Sequence, residues 1–392
     1  MPKGQAKITE LYPSRMKRLR LKKLLVPFVV LLVLMMTGLS LYMFREDLDL
    51  DRVRRYFRYL GSRDSDSYGV YVFDAHSANA YAAVGDGLAM ASVAGLDLYG
   101  PSGEEVASVS ASVRVPAVSA GEDLALLWDV GGTTLAAARP DRGQVLDLIL
   151  DRPLLDADVS QSGEICYASA ADGYRTVITV LDADQQERYR WLSSSRYMPL
   201  CAIAEGGALL AAVSVGGLEG AFESRLQLFH TDSEQPGVDI SLGGQWIYDL
   251  DFLDRDVVCA VGESSVQFFD TTGAKLGEYA YAGEHLKDYC LQGDGHAILC
   301  LSPFQSGSRC ELVSVLPDGT ASARTTLDDG IQSLSAAGSY VAALSAGCLR
   351  VFKGELTPYY ETAEVAGETH CQVRRDGTTL LIGGSSARLY LP

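Results

Sequence analysis

Basic side chains are scarce in this sequence: 33 Lys and Arg stand against 50 Asp and Glu, a net charge of −17 over 392 residues. Phosphate affinity comes from basic residues, so this balance excludes a nucleic-acid binder. Tryptophan is scarcer still, with only Trp128, Trp191 and Trp246, and histidine numbers five. His76, His230, His285, His296 and His370 lie far apart, and no two share the spacing of a metal site. The eight cysteines include no CxxC and no cysteine–histidine pair at ligand spacing, which argues against zinc. GxSxG, HExxH, a Walker loop and a GxGxxG leading into a helix are all missing. No metal, cofactor or catalytic residue is therefore assigned. Glycine, at 39 residues, follows no Gly-X-Y period, which excludes collagen, and 47% apolar side chains exclude a mainly disordered chain.

Charge is absent altogether from Leu24 to Phe44. At 1.5 Å per residue this run spans about 31 Å, the thickness of a bilayer's hydrocarbon core. Eight basic residues and one acid precede it in 1–23, so the positive-inside rule places the N-terminus in the cytoplasm and everything after Phe44 outside. A cleaved signal peptide ending at Gly38 and Ser40 is the competing reading; the long basic start and the apolar residues beyond that point oppose it. In 45–66, Leu50, Val53, Phe57 and Leu60 recur at helical steps. Asp47, Asp49 and Asp51 imitate the start of a calcium loop but lack its glycine and closing glutamate. The expected order is a basic cytoplasmic tail (1–23), a transmembrane signal-anchor helix (24–44), an amphipathic juxtamembrane stalk (45–66) and an extracytoplasmic domain (67–392). From residue 64 onward 19 basic residues face 45 acidic ones, a net charge of −26.

Beyond Tyr68 short apolar runs alternate with polar residues, and turn residues recur every eight to twelve positions, which is all-β spacing. A turn repeats at Gly85-Asp86-Gly87, Gly121-Glu122-Asp123, Ser162-Gly163, Gly206-Gly207, Asp254-Arg255-Asp256, Asp294-Gly295, Ala337-Gly338 and Asp376-Gly377. The steps run from 34 to 49 residues and average about 41, the spacing of four-stranded propeller blades. A third strand recurs as Leu96-Asp97-Leu98-Tyr99, Leu226-Gln227-Leu228-Phe229, Val266-Gln267-Phe268-Phe269, Leu349-Arg350-Val351-Phe352 and Arg388-Leu389-Tyr390. The fold expected is an all-β, eight-bladed β-propeller, or a seven-bladed one if the irregular unit near Gly121 is discounted. The last unit stops after its third strand, and a spare strand precedes the first. Residues 68–74 are thus expected to pair in the last blade and remove an open edge. The cysteines fall singly on apolar strands and are expected as buried free thiols. A Cys290–Cys300 bridge across the Asp294-Gly295 turn is the alternative.

In its repeat period and in third strands such as Val266-Gln267-Phe268-Phe269-Asp270, the ectodomain resembles the WD-repeat-like and quinoprotein-like propellers. The whole chain, with basic tail, anchor and acidic repeats, resembles an uncharacterised family of membrane-anchored bacterial propellers described only as a domain of unknown function. The WD signature itself is missing, since the sole Trp-Asp, Trp128-Asp129, ends a second strand.

One basic-aromatic constellation stands out on the acidic body. Tyr174 and Arg175 lie in the third unit, and Arg190, Trp191, Arg196 and Tyr197 are assigned to the connection that follows. Phe222 falls in a long loop of the fourth unit and Trp246 in the next connection. Aromatic and arginine side chains dominate binding hot spots. These eight residues are the candidate binding site of an outward-facing scaffold or sensor for a protein, peptide or glycan. An extracytoplasmic hydrolase or lyase using carboxylates near the channel is the alternative, and envelope-complex assembly a further one. Acids with shifted pKa values clustered at the channel favour the enzyme; an aromatic-arginine surface favours the binder.

Overall fold

The computed structural model describes residues 70–73, 79–218, 220–306, 308–365 and 367–391. The expected tail, membrane helix and stalk, as well as His76, lie outside these residues. Among the described residues no helix is long and apolar enough to cross a membrane.

Eight four-stranded antiparallel sheets follow one another. We number them as blades: 80–110, 116–149, 154–193, 197–243, 247–280, 285–327, 333–362, and last 370–390 completed by Val70–Val72. The unit containing Gly121 is blade 2, which settles the count at eight. Each blade runs from an inner strand beside the axis to an outer one. Middle strands are covered on both faces by neighbouring blades and are apolar throughout, as in Ala125–Asp129 and Tyr340–Ser345, where every residue is buried. Outer strands alternate, as in Glu105–Ser110, because one face meets water. The recurring turn joins the first and second strands, and in blades 3 and 8 Gly163 (φ 92°) and Gly377 (φ 81°) take left-handed backbone there.

Val70–Val72 pairs antiparallel with Ser386–Tyr390 and closes the ring, as expected for the described part of that strand. Tyr71 fixes it: fully buried, its hydroxyl donates to Pro101 O in blade 1 (3.1 Å) and accepts from Arg374 Nη2 in blade 8 (2.7 Å). Pro101 belongs to a third-to-fourth-strand turn, so the strand's first residue, Val70, lies at the lower face, formed by these turns and the first-to-second-strand turns. The upper face is formed by the second-to-third-strand hairpins and the connections between blades.

All eight cysteines are free. Cys290 lies opposite Ile298, and Cys300 opposite Asp288, because the hairpin register next to the turn is centred on residue 294 and not on 295. The bridge alternative is thereby corrected.

Candidate functional site

Six of the eight candidate residues lie on the upper face of blades 3 to 5. Arg175, at the blade 3 hairpin, donates from Nη1 to the Tyr197 hydroxyl (2.9 Å) and lies 5.1 Å from that ring's centroid. Phe222 and Trp246 stack with centroids 5.6 Å apart at 22°. They meet because the middle strands of blade 4, Leu209–Leu218 and Ala221–His230, form a long hairpin, where the sequence reading had a loop. Between the two pairs Arg196 reaches across Gly216 to Glu223, whose carbonyl it bonds at 2.9 Å and whose carboxylate it meets at 3.4 Å. Tyr174, Tyr197, Phe222 and Trp246 are between 42% and 51% exposed, although large apolar rings gain by burial. Tyr248 (47%) and Phe304 (61%) extend the same face. The reading of the sequence missed both, since neither has arginine beside it.

Arg190 and Trp191 lie elsewhere. The outer strand of blade 3 continues from Glu187 to Ser193 and carries both, so the connection is only 194–196. Trp191 packs on Phe229 (5.1 Å), and Arg190 pairs with Glu187 (2.5 Å). They line a flank groove of about 470 Å³ with Tyr189 and the 231–234 turn.

A second group was not anticipated. The inner strands of blades 3, 5 and 6 hold Asp156 and Asp158, Asp249 and Asp251, and Asp288. An inner strand is a sheet edge, so its outward N–H groups need acceptors. Asp156 accepts from Cys201 N–H (2.9 Å) and Asp158 from Ile203 N–H (3.1 Å), both in blade 4. Asp288 accepts from Leu334 N–H of blade 7 (2.9 Å). Ser333 and Ser335 do the same for Cys371 and Val373 of blade 8 (both 3.1 Å). These side chains staple one blade to the next.

Burial raises all five aspartates. Asp156 is pushed up to about 8 by burial, with Asp158 and Asp249 adding their charge. Asp158 and Asp249 are raised chiefly by burial, and Asp251 goes well up through burial and its neighbours Asp158 and Asp249. Asp288 rises to about 6 by burial. Elsewhere in the channel a cavity of about 570 Å³ is lined by Asn79, Ser119, Gln332, Ser333 and Gln372, together with Asp288 and His370. Among the described residues no three His, Cys, Asp or Glu are placed to hold a metal ion.

Residues 65–342 match the family model described as "Family of unknown function (DUF5711)". No protein of curated description matches the chain. Among solved structures, BamB from Moraxella catarrhalis is similar at 14% identity and a TM-score of 0.53, over 83% of this chain and 99% of that one. The C-terminal WD40 domain of Sif2 is similar at 10% identity and a TM-score of 0.57, over 83% and 98%. At such identities the likeness concerns the fold.

Proposed function

Since the chain belongs to this family of unknown function (DUF5711) and is an eight-bladed propeller, we propose that it is a binding or scaffold module engaging a protein partner through its upper face. The observation that carries this is the exposed Phe222–Trp246 stack beside the Arg175–Tyr197 pair. Two flat rings left half in water cost solvation that a partner would recover, and rigid aromatics lose little entropy on binding. Crosslinking from native membranes followed by mass spectrometry tests it. A specific partner is expected with the unaltered chain and at least tenfold less of it with Phe222→Ala/Trp246→Ala. Because both rings are half exposed, folding should change by only about 1 kcal/mol. Recovery of no specific partner, or equal recovery from the double variant, would overturn the reading.

The same proposal includes a single-pass anchor at 24–44 with the propeller outside the cytoplasm. It rests on the uncharged run and the basic residues before it. A membrane-impermeant amine reagent applied to spheroplasts should label Lys275, Lys287 and Lys353. Labelling only after lysis would defeat this topology.

The enzyme alternative has one observation in its favour: a carboxyl raised to about 8, as Asp156 is, holds its proton at neutral pH, as a general acid must. The hydrogen bonds favour the binder, because Asp156, Asp158 and Asp288 are occupied in joining blades.

A further inference from the structure

The upper face and the channel beneath it differ in how their charges are met. Arg196 is paired with Glu223, Arg152 with Asp172 and Arg309 with Asp328. Arg175 is held by a tyrosine instead. Of the constellation's own arginines, Arg196 and Arg190 are thus neutralised by acids and Arg175 is not. None of Asp156, Asp158, Asp249, Asp251 and Asp288 has a Lys or Arg partner among the described residues. The acids below the aromatic rings therefore have no basic partner to balance them when they ionise.

The two features meet on one short segment. Trp246 and Tyr248 lie at the upper end of blade 5's inner strand, and Asp249 and Asp251 follow directly. An irregularity between Ile247 and Asp249 re-aims the side chains at this point. Asp249 accepts from Leu250 N–H (2.8 Å). Asp251 accepts only its neighbour Phe252 N–H (2.7 Å), which leaves acceptor capacity on its carboxylate. Tyr281, 1% exposed, packs in the same apolar cluster as Tyr289, with its hydroxyl unpartnered.

We propose that the aromatic face docks a basic, extended segment of a partner protein, one Lys or Arg of which seats in the channel mouth against Asp249 and Asp251. This rests on the reading of that face as a protein-binding site. A carboxyl removed from water keeps its proton unless a counter-charge is present, and an arriving guanidinium or ammonium supplies one, so that the acid ionises against it through charge-assisted hydrogen bonds. The rings at the rim suit the same ligand, since cations are attracted to aromatic faces and the stems of Lys and Arg are apolar.

The probe is a capped pentapeptide, Ala-Ala-Arg-Ala-Ala, compared with its citrulline counterpart, which keeps the shape and loses the charge. Titration calorimetry uses the full chain in detergent micelles at 150 mM salt. Arginine is expected to bind at least tenfold tighter than citrulline. Asp249→Asn/Asp251→Asn should remove that preference, whereas Asp97→Asn/Asp318→Asn, on other turns and strands, should leave it intact as a control for overall charge. Unfolding midpoints of both variants establish that they are folded. Equal binding of the two peptides, no binding of either, or a preference that survives Asp249→Asn/Asp251→Asn would overturn the inference. None of these results touches the crosslinking of Phe222→Ala/Trp246→Ala, so the wider reading fails or stands separately.

Discussion

Replacing Tyr71 by alanine is expected to lower the unfolding midpoint by about 6 °C, a loss of roughly 4 kcal/mol. The size follows from what the ring does. Tyr71 is fully buried, meets Tyr99 edge-on (5.9 Å, 74°), and lies in the hydrophobic cluster that joins blade 8 to blade 1. Removing a buried aromatic costs about 3–5 kcal/mol through lost transfer energy and the cavity left behind. Its hydroxyl adds two bonds, to Pro101 O and from Arg374, and Arg374 is itself only 4% exposed. Tyr71→Phe, which keeps the ring and deletes the hydroxyl, should therefore lose a smaller amount, about 1–3 kcal/mol. Because the Val70–Val72 strand is the blade's fourth, the loss should be seen first in blade 8. Amide exchange in Ser386–Tyr390 should accelerate before exchange in blades 3 to 6. Scanning calorimetry with hydrogen-exchange mass spectrometry checks both points. A midpoint within 2 °C of the unaltered chain, or uniform exchange, would mean that the ring does not depend on this closure.

That closing strand was legible in advance because arithmetic exposed it: three strands in the last unit and a spare apolar strand before the first. The blade count was legible too, since each unit turns through residues that tolerate left-handed backbone, such as Gly163 and Gly377. The channel acids were not, because Asp-x-Asp means different things in different places. At a turn Asp182 caps backbone, accepting from Asp184 and Gln186 N–H (both 2.9 Å). The same spacing in Asp156-Ala157-Asp158 and Asp249-Leu250-Asp251 lies within inner strands, where a period of two puts both carboxylates on one face. The signal was an acid pair inside an apolar first strand, whose edge N–H groups lack sheet partners. Of the candidate binding residues, hairpin tips and connections brought Arg175, Tyr197, Phe222 and Trp246 together. Arg190 and Trp191 fell away because strand ends are set by cross-strand pairing, here through to Ser193, and not by local composition. The neutralisation of Arg196 by Glu223 spans 27 positions and belongs to the fold alone.

Stability should rise as pH falls from 9 to about 5.5, and Asp156→Asn should remove part of that rise. Burial lifts the Asp156 carboxyl to about 8 in the folded chain, above its ordinary value of 3.8, and lifts Asp158, Asp249, Asp251 and Asp288 as well. Between the unfolded and folded pKa the native state holds more protons, so stability falls as pH rises through that window and is greatest below it. Acids held low act in the opposite sense: Asp329 is bonded by Ser345 and Arg350, and Asp318 by Thr320, and their contribution is lost as pH drops below about 4. An optimum near pH 5 follows. In Asp156→Asn the amide oxygen still accepts the Cys201 N–H, while the buried charge and its repulsion from Asp158 and Asp249 are gone. The variant should therefore be more stable than the unaltered chain at pH 8.5 by about 1–3 kcal/mol, after allowance for water in the channel, and the gap should be smaller at pH 5. Asp156→Ala separates charge from staple: it leaves Cys201 N–H without its acceptor and should cost about 1–3 kcal/mol at pH 5. Denaturant titrations of the three proteins at both pH values measure these differences. If Asp156→Asn is less stable than the unaltered chain at pH 8.5, the carboxylate is ionised in the fold and stabilised there, and the inner strands of blades 3 and 5 already meet their charge from within.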